Sequence, residues 1–143
     1  MNPSLPFKLL RIDHVVLRVR DLPASVRFYC EVIGCTVARE RPSLGMVHLH
    51  AGASMIDLVS VDGPLGVRGG PAAELERRNM DHLCLRIEPF DEGDLVAHVK
   101  QHGHVTEGPA GRNYGAEGDG ISLYLLDPDG NRVELKGAAR RCG

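Results

Sequence analysis

Three side chains in this sequence are placed where they could do metal chemistry: His14, His82 and Glu134. Each histidine follows an aspartate and opens an apolar run, "DHVVLRV" from Asp13 and "DHLCLRI" from Asp81, and the two lie 68 residues apart. A lone histidine at the mouth of a strand is ordinarily structural or exposed. Two at repeat-equivalent positions, with a strand glutamate, compose a 2-His-1-carboxylate set. Nitrogen and oxygen donors without thiolates suit a divalent first-row ion (Fe, Mn, Ni, Co or Zn) and leave positions open for water or substrate.

Glu134 sits between Val133 and Leu135 in "RVELK". Neighbours on a strand point to opposite faces. If the aliphatic pair packs against helices, Glu134 faces a cleft, where a carboxylate is costly unless paired or bound to a cation. The alternative leaves Arg132, Glu134 and Lys136 in solvent on a half-exposed strand. An ungapped superposition of the two C-terminal hairpins matches Asp57 in "MIDLVSV" to Glu134. Asp57 is one methylene shorter, so it is a direct ligand, a ligand through water, or a support for a ligand histidine. The same superposition turns His48 and His50 away from the face that carries Tyr124. His98, His102 and His104, in "HVKQHGH", read as an exposed helix end.

Ser122 and Tyr124 alternate onto one face and are candidates to line the pocket. The glycine-rich "GRNYGAEGDGIS", Gly111 to Ser122, lacks the strand-to-helix context of a phosphate loop. It reads as a mobile lid over the cleft. Within it, Arg112 is a candidate clamp for a ligand carboxylate or phosphate.

The elements that must position these residues repeat. After each histidine strand comes a turn with a candidate N-cap, Asp21 or Asp91, then a helical pattern ending at Gly34 or Gly103, where a left-handed cap is expected. Three strand-like segments follow: "CTVARER", "GMVHLHA" and "SMIDLVSV" in the first half, "HVTEG", "ISLYLLD" and "NRVELKG" in the second. The last pairs turn at "AGAS" and at "DPDGN". Each half is therefore a βαβββ module, residues 11–61 and 79–137, joined by a Gly- and Pro-rich linker, 62–78, within a single domain of 143 residues. Two such modules can cup their sheets around one cleft, and duplication then brings equivalent positions together. The fold class is α+β.

A net charge of −2, with no block of like charge, argues against nucleic acid or an anionic membrane as partner. No apolar run approaches the roughly 20 residues of a span, and "MNPSLPFKLL" lacks the build of a signal peptide. Cys30, Cys35, Cys84 and Cys142 form no C-x-x-C pair, and Cys30 and Cys84 stand in apolar surroundings. They read as reduced, core-facing thiols in a cytoplasmic protein.

"IDHVVLRVRDLPASVRFYCEVIG", "MDHLCLRI" and "SLYLLDPDGNRVELKG" together resemble the vicinal oxygen chelate superfamily. That superfamily includes glyoxalase I, fosfomycin-resistance thiol transferases, methylmalonyl-CoA epimerase, extradiol dioxygenases and bleomycin-resistance proteins. The likeness is greatest to its small glyoxalase domain-containing members. It implies paired βαβββ modules forming a cup, a divalent metal at its base held by His14, His82 and Glu134, and a homodimer. The glyoxalase I pattern has a fourth ligand, usually glutamate, where this chain has Asp57.

The resemblance implies a glyoxalase-type lyase or isomerase acting on a small oxygenated substrate chelated by the metal, with Glu134 as base and Arg112 or Tyr124 orienting the substrate. The alternatives are an Fe(II) extradiol-type dioxygenase and a non-catalytic ligand- or antibiotic-binding protein. An aromatic content of 4%, with no Trp, offers little for a stacking pocket.

Overall fold

In the computed structural model residues 5–140 are described; Cys142 lies outside them. The chain forms two four-stranded mixed sheets, one per module. In the first, β1 (His14–Val19), β2 (Thr36–Arg41), β3 (Met46–Ala51) and β4 (Ser54–Ser60) lie in the order β1-β4-β3-β2, with β1 parallel to β4. In the second, β5 (His82–Arg86), β6 (Thr106–Gly115), β7 (Gly118–Leu126) and β8 (Arg132–Ala139) repeat it as β5-β8-β7-β6. A parallel pair needs a crossover, and one helix supplies it in each module.

Helix α1 (Leu22–Arg27) continues as a π-helical segment, Phe28–Ile33, and α2 spans Glu92–Gln101. Both start as the sequence predicts. The Asp21 carboxylate accepts from the Ala24 amide, and the Asp91 carboxylate from the Asp94 amide. Gly34 at φ 98° and Gly103 at φ 81° take the left-handed turn after each helix, which L side chains rarely adopt.

One apolar core serves both modules. Leu17, Val19, Leu49, Ile56 and Leu58 of the first sheet join Leu123, Leu125, Val133 and Leu135 of the second, with Phe28, Tyr29 and Val32 between. Polar contacts also fix the modules to each other, among them the Arg20 amide and guanidinium donating to Asp129 Oδ1 at 3.0 and 3.2 Å. The Tyr29 hydroxyl, fully buried, donates to Asp127 Oδ2 at 2.7 Å. His98 Nε2 lies 2.9 Å from the Val32 carbonyl oxygen. His98 and His104, whose ring packs edge-on against Phe28, are thus tied into the module contact rather than free at a helix end; His102 is exposed.

Three expectations change. Residues 111–122 are not a lid: they are the facing strands of a long hairpin, β6 and β7, turning at Ala116 and Glu117. Glycine suggested a loop, but paired backbone hydrogen bonds carry it as sheet. Cys84 is exposed on the polar face of β5, opposite Glu134, not in the core; Cys35 is buried and Cys30 half-buried.

His48 is the third. The β3–β4 hairpin closes through two residues, Gly52 and Ala53, whereas β7–β8 closes through five, Asp127 to Asn131. His48 therefore pairs with Asp57 just as Tyr124 pairs with Glu134. An ungapped superposition slips β3 by one residue, and a one-residue slip exchanges the two faces of a strand. His48 and, two residues on, His50 share the face of Asp57.

Candidate metal and substrate site

With their aliphatic faces in the common core, the two sheets present polar faces on their other sides. In the second module His82, Cys84 and Arg86 of β5 lie beside Arg132, Glu134 and Lys136 of β8, followed by Ser122 and Tyr124 of β7. Glu134 is 4% exposed, so the cleft-facing reading of this strand holds and the solvated one does not. Its Oε1 lies 3.0 Å from His82 Nε2, while Oε2 is buried with no hydrogen-bond partner. A lone buried carboxylate oxygen is costly, so this pair is arranged for something else to complete it.

The aspartate before each histidine has a role that the repeated "DH" signalled and that sequence reasoning passed over. Asp13 Oδ1 lies 2.7 Å from His14 Nδ1, and Asp81 Oδ2 lies 2.7 Å from His82 Nδ1. A carboxylate at Nδ1 holds the proton there and turns the Nε2 lone pair toward the site, the usual support of a metal-binding imidazole. The hydrogen bond that His14 donates to Asp13 raises the pKa of His14, and the one that Asp81 accepts from His82 lowers the pKa of Asp81.

Tyr124 closes one side of the Glu134 pair. Its ring meets His82 edge-on at 5.5 Å, and the Arg132 guanidinium lies 4.3 Å from the ring centroid. Burial, and then the charge of Glu134, push the Tyr124 phenol above its ordinary pKa. The same two causes push the Cys84 thiol up to about 11. Both groups stay protonated at neutral pH.

The first module repeats the plan in shortened form. Asp57, 4% exposed, has Oδ1 at 2.9 Å from His48 Nδ1 and Oδ2 at 3.9 Å from His14 Nε2. Asp57 is therefore held by His48 and approaches His14, so His48 belongs to the site's surroundings. The two half-sites do not meet within one chain: among the described residues no group of three His, Cys, Asp or Glu side chains converges to hold a metal. His14 pairs with Asp57, and His82 with Glu134.

Arg112 is kept away from both. It faces Ile121 across β6–β7, on the other side of the strand from Ser122, with Nε 3.6 Å from Asp119 Oδ2. The cavity beside Glu134, about 260 Å³, is lined instead by His82, Cys84, Arg86, Glu117 and Lys136.

Residues 11–135 match the Glyoxalase/Bleomycin resistance protein/Dioxygenase superfamily, and the chain belongs to that family. It is 35% identical over 138 residues to a protein of Salmonella typhimurium named virulence protein STM3117, covering 94% of this chain and 88% of the relative. The crystal structure of that protein superposes with a TM-score of 0.74, covering 93% of this chain and all of the other, at 28% identity. A glyoxalase domain-containing protein of Mycosarcoma maydis, RDO1, is 31% identical over 125 residues, covering 87% of this chain and 66% of the relative. The architecture expected from the duplicated sequence is the one this family shares. Members of the family typically use a divalent metal and bind small molecules. Among the described residues no helix is long and apolar enough to cross a membrane.

Proposed function

We propose that this protein is a divalent-metal-dependent enzyme of the glyoxalase type, a lyase or isomerase for a small oxygenated substrate, working as a homodimer. The observation that carries the reading is the His82–Glu134 pair, with its imidazole pre-oriented by Asp81 and one carboxylate oxygen buried and unpartnered. The donor set fits a first-row divalent ion.

His82 and Glu134 would hold the ion from one copy. His14, with Asp57 beside it, would complete the set from a second copy. A bound ion would withdraw charge from the substrate's oxygens and stabilise the oxyanion that develops on proton loss. Glu134 would take that proton, and the Tyr124 hydroxyl, protonated at neutral pH, would orient the substrate oxygen.

Two features support a second copy. Neither half-site is sufficient alone. Around His14 the chain exposes apolar side chains that a monomer gains nothing by presenting: Phe7, Leu9, Leu10 and Ile12 before it, and Val16 on β1 beyond it.

Elemental analysis of protein purified without a polyhistidine tag or added metal tests the reading. The expected result is close to one divalent ion per chain, lost in His82→Ala. Absence of metal from the wild-type protein, or full metal content in His82→Ala, refutes it. Oxygen consumption with catechols and Fe(II) would instead support the dioxygenase reading, which uses the same three donors.

A further inference from the structure

Lys136 is the charged residue that the metal half-site leaves unexplained. It lies two residues beyond Glu134 on β8, on the same face, and is 5% exposed. Its ammonium donates to one described acceptor, the Gly118 carbonyl oxygen at 2.9 Å. No carboxylate among the described residues forms an ion pair with it. Arg86, its neighbour across β5–β8, differs. Arg86 Nε lies 3.0 Å from Glu117 Oε1 and its Nη2 2.9 Å from Glu88 Oε1, so its charge is already met. A buried ammonium with a single neutral acceptor is unfavourable unless a counter-anion arrives.

The glycine-rich hairpin makes room for this side chain. A Cβ at Gly115 would stand 3.1 Å from Lys136 Cε, and one at Gly120 would stand 2.9 Å from Nζ and 2.7 Å from the Ala138 oxygen. The hairpin is therefore moulded around the lysine stem and delivers its ammonium to the wall of the cavity that also holds His82 and Glu134.

We propose that Lys136 is a specificity-determining residue that receives the carboxylate of the substrate. This rests on the metal-site reading above and deepens it. Residues two apart on a strand are separated by about 7 Å. A carboxylate on Lys136 thus lies within a few bonds of oxygens presented at His82 and Glu134. The class that fits is a small monoanion carrying two vicinal oxygens and one carboxylate.

Glycerate and glycerol are suitable probes, because both present vicinal hydroxyls and differ in the carboxylate. Binding is followed through the amide shifts of ¹⁵N-labelled protein at low salt, on metal-loaded and chelator-treated samples, with metal content measured for each variant. The expected result is glycerate binding at least tenfold tighter than glycerol. Lys136→Met should abolish that preference and Lys136→Arg retain it, with metal content unchanged in both. Equal affinity of the wild-type protein for the two probes overturns the proposal, as does an unchanged preference in Lys136→Met. If Lys136→Met fails to give a folded spectrum, Lys136→Gln, which keeps a donor without the charge, serves the same purpose. Absence of metal from the wild type would refute the metalloenzyme reading alone, since the Lys136-dependent preference is still read on chelator-treated protein.

Discussion

Mixing two inactive variants tests the assembly of the site directly. In a symmetric dimer each of two equivalent sites would take His82 and Glu134 from one copy and His14 from the other. His14→Ala removes a donor from both sites of its homodimer, and Glu134→Gln does the same from the opposite side. When equal amounts of the two chains exchange at random, half of the dimers are mixed. In each mixed dimer one site draws His14 from the Glu134→Gln chain and the intact His82–Glu134 pair from the His14→Ala chain. The other site lacks both. About one quarter of all sites is therefore restored, as follows from two-fold symmetry. A site built within one chain restores none.

This outcome follows from the proposed dimer, because His14 meets Asp57 and His82 meets Glu134, and among the described residues no group of three metal donors converges at either pair. The assay is metal content by elemental analysis after desalting, before and after subunit exchange, with exchange verified by native mass spectrometry of two chains of different mass. Each variant alone should be close to background, and the exchanged mixture should recover about 25% of the wild-type value. Mixed dimers that stay at background refute the shared site. Full metal in either variant alone refutes the assignment of that ligand.

Tyr29→Phe should weaken the whole fold rather than the site. It removes a hydrogen bond from a fully buried phenol to the Asp127 carboxylate, and a hydrogen bond to a charged group contributes about 1.5–3 kcal/mol; a urea titration reads the loss, and an unchanged midpoint contradicts it. Gly120→Ala should cost about 1–3 kcal/mol, because the new methyl meets the Ala138 oxygen at 2.7 Å and Lys136 Nζ at 2.9 Å, and it should also weaken glycerate binding; calorimetric unfolding and the amide-shift titration check the two effects. Cys84, with its thiol raised to about 11 against an ordinary 9.0, should alkylate with iodoacetamide at pH 8 about tenfold more slowly than an ordinary exposed cysteine, because the smaller thiolate fraction outweighs that thiolate's greater nucleophilicity. Replacing Glu134 by Gln removes the carboxylate's influence, which follows burial as a cause, and should speed the reaction; mass spectrometry of the Cys84 peptide over time decides it, and a rate insensitive to Glu134 would mean that its charge does not reach the thiol.

Much of the architecture was legible in the chain because it depends on local and periodic signals. The two "DH" strand starts, the caps at Asp21 and Asp91, the glycines at 34 and 103 and the "DPDGN" turn each act within a few residues, and their repetition identified the duplication. Glu134 was legible as cleft-facing once Val133 and Leu135 were assigned to the core. His48 was assigned to the wrong face because face depends on the parity of a hairpin turn, and an ungapped superposition misaligns a two-residue turn with a five-residue one. Residues 111–122 resemble a loop because glycine has weak strand preference, whereas Gly115 and Gly120 yield space to Lys136, 21 and 16 positions away. Cys84 and Arg112 were misjudged in the same way, since composition does not tell which side of a strand faces the core.

The sequence by itself determined the repeat, the strand and helix types outside the 111–122 hairpin, and the identity of the donor residues, because these follow from periodicity and capping. Tertiary structure alone decided which donors meet. Packing both modules through their helices and aliphatic faces into one core sends the polar faces away from that core, so His14 reaches Asp57 and His82 reaches Glu134, but the pairs do not join. That outcome depends on how two amphipathic layers bury their apolar sides against each other, a long-range choice that no local pattern encodes.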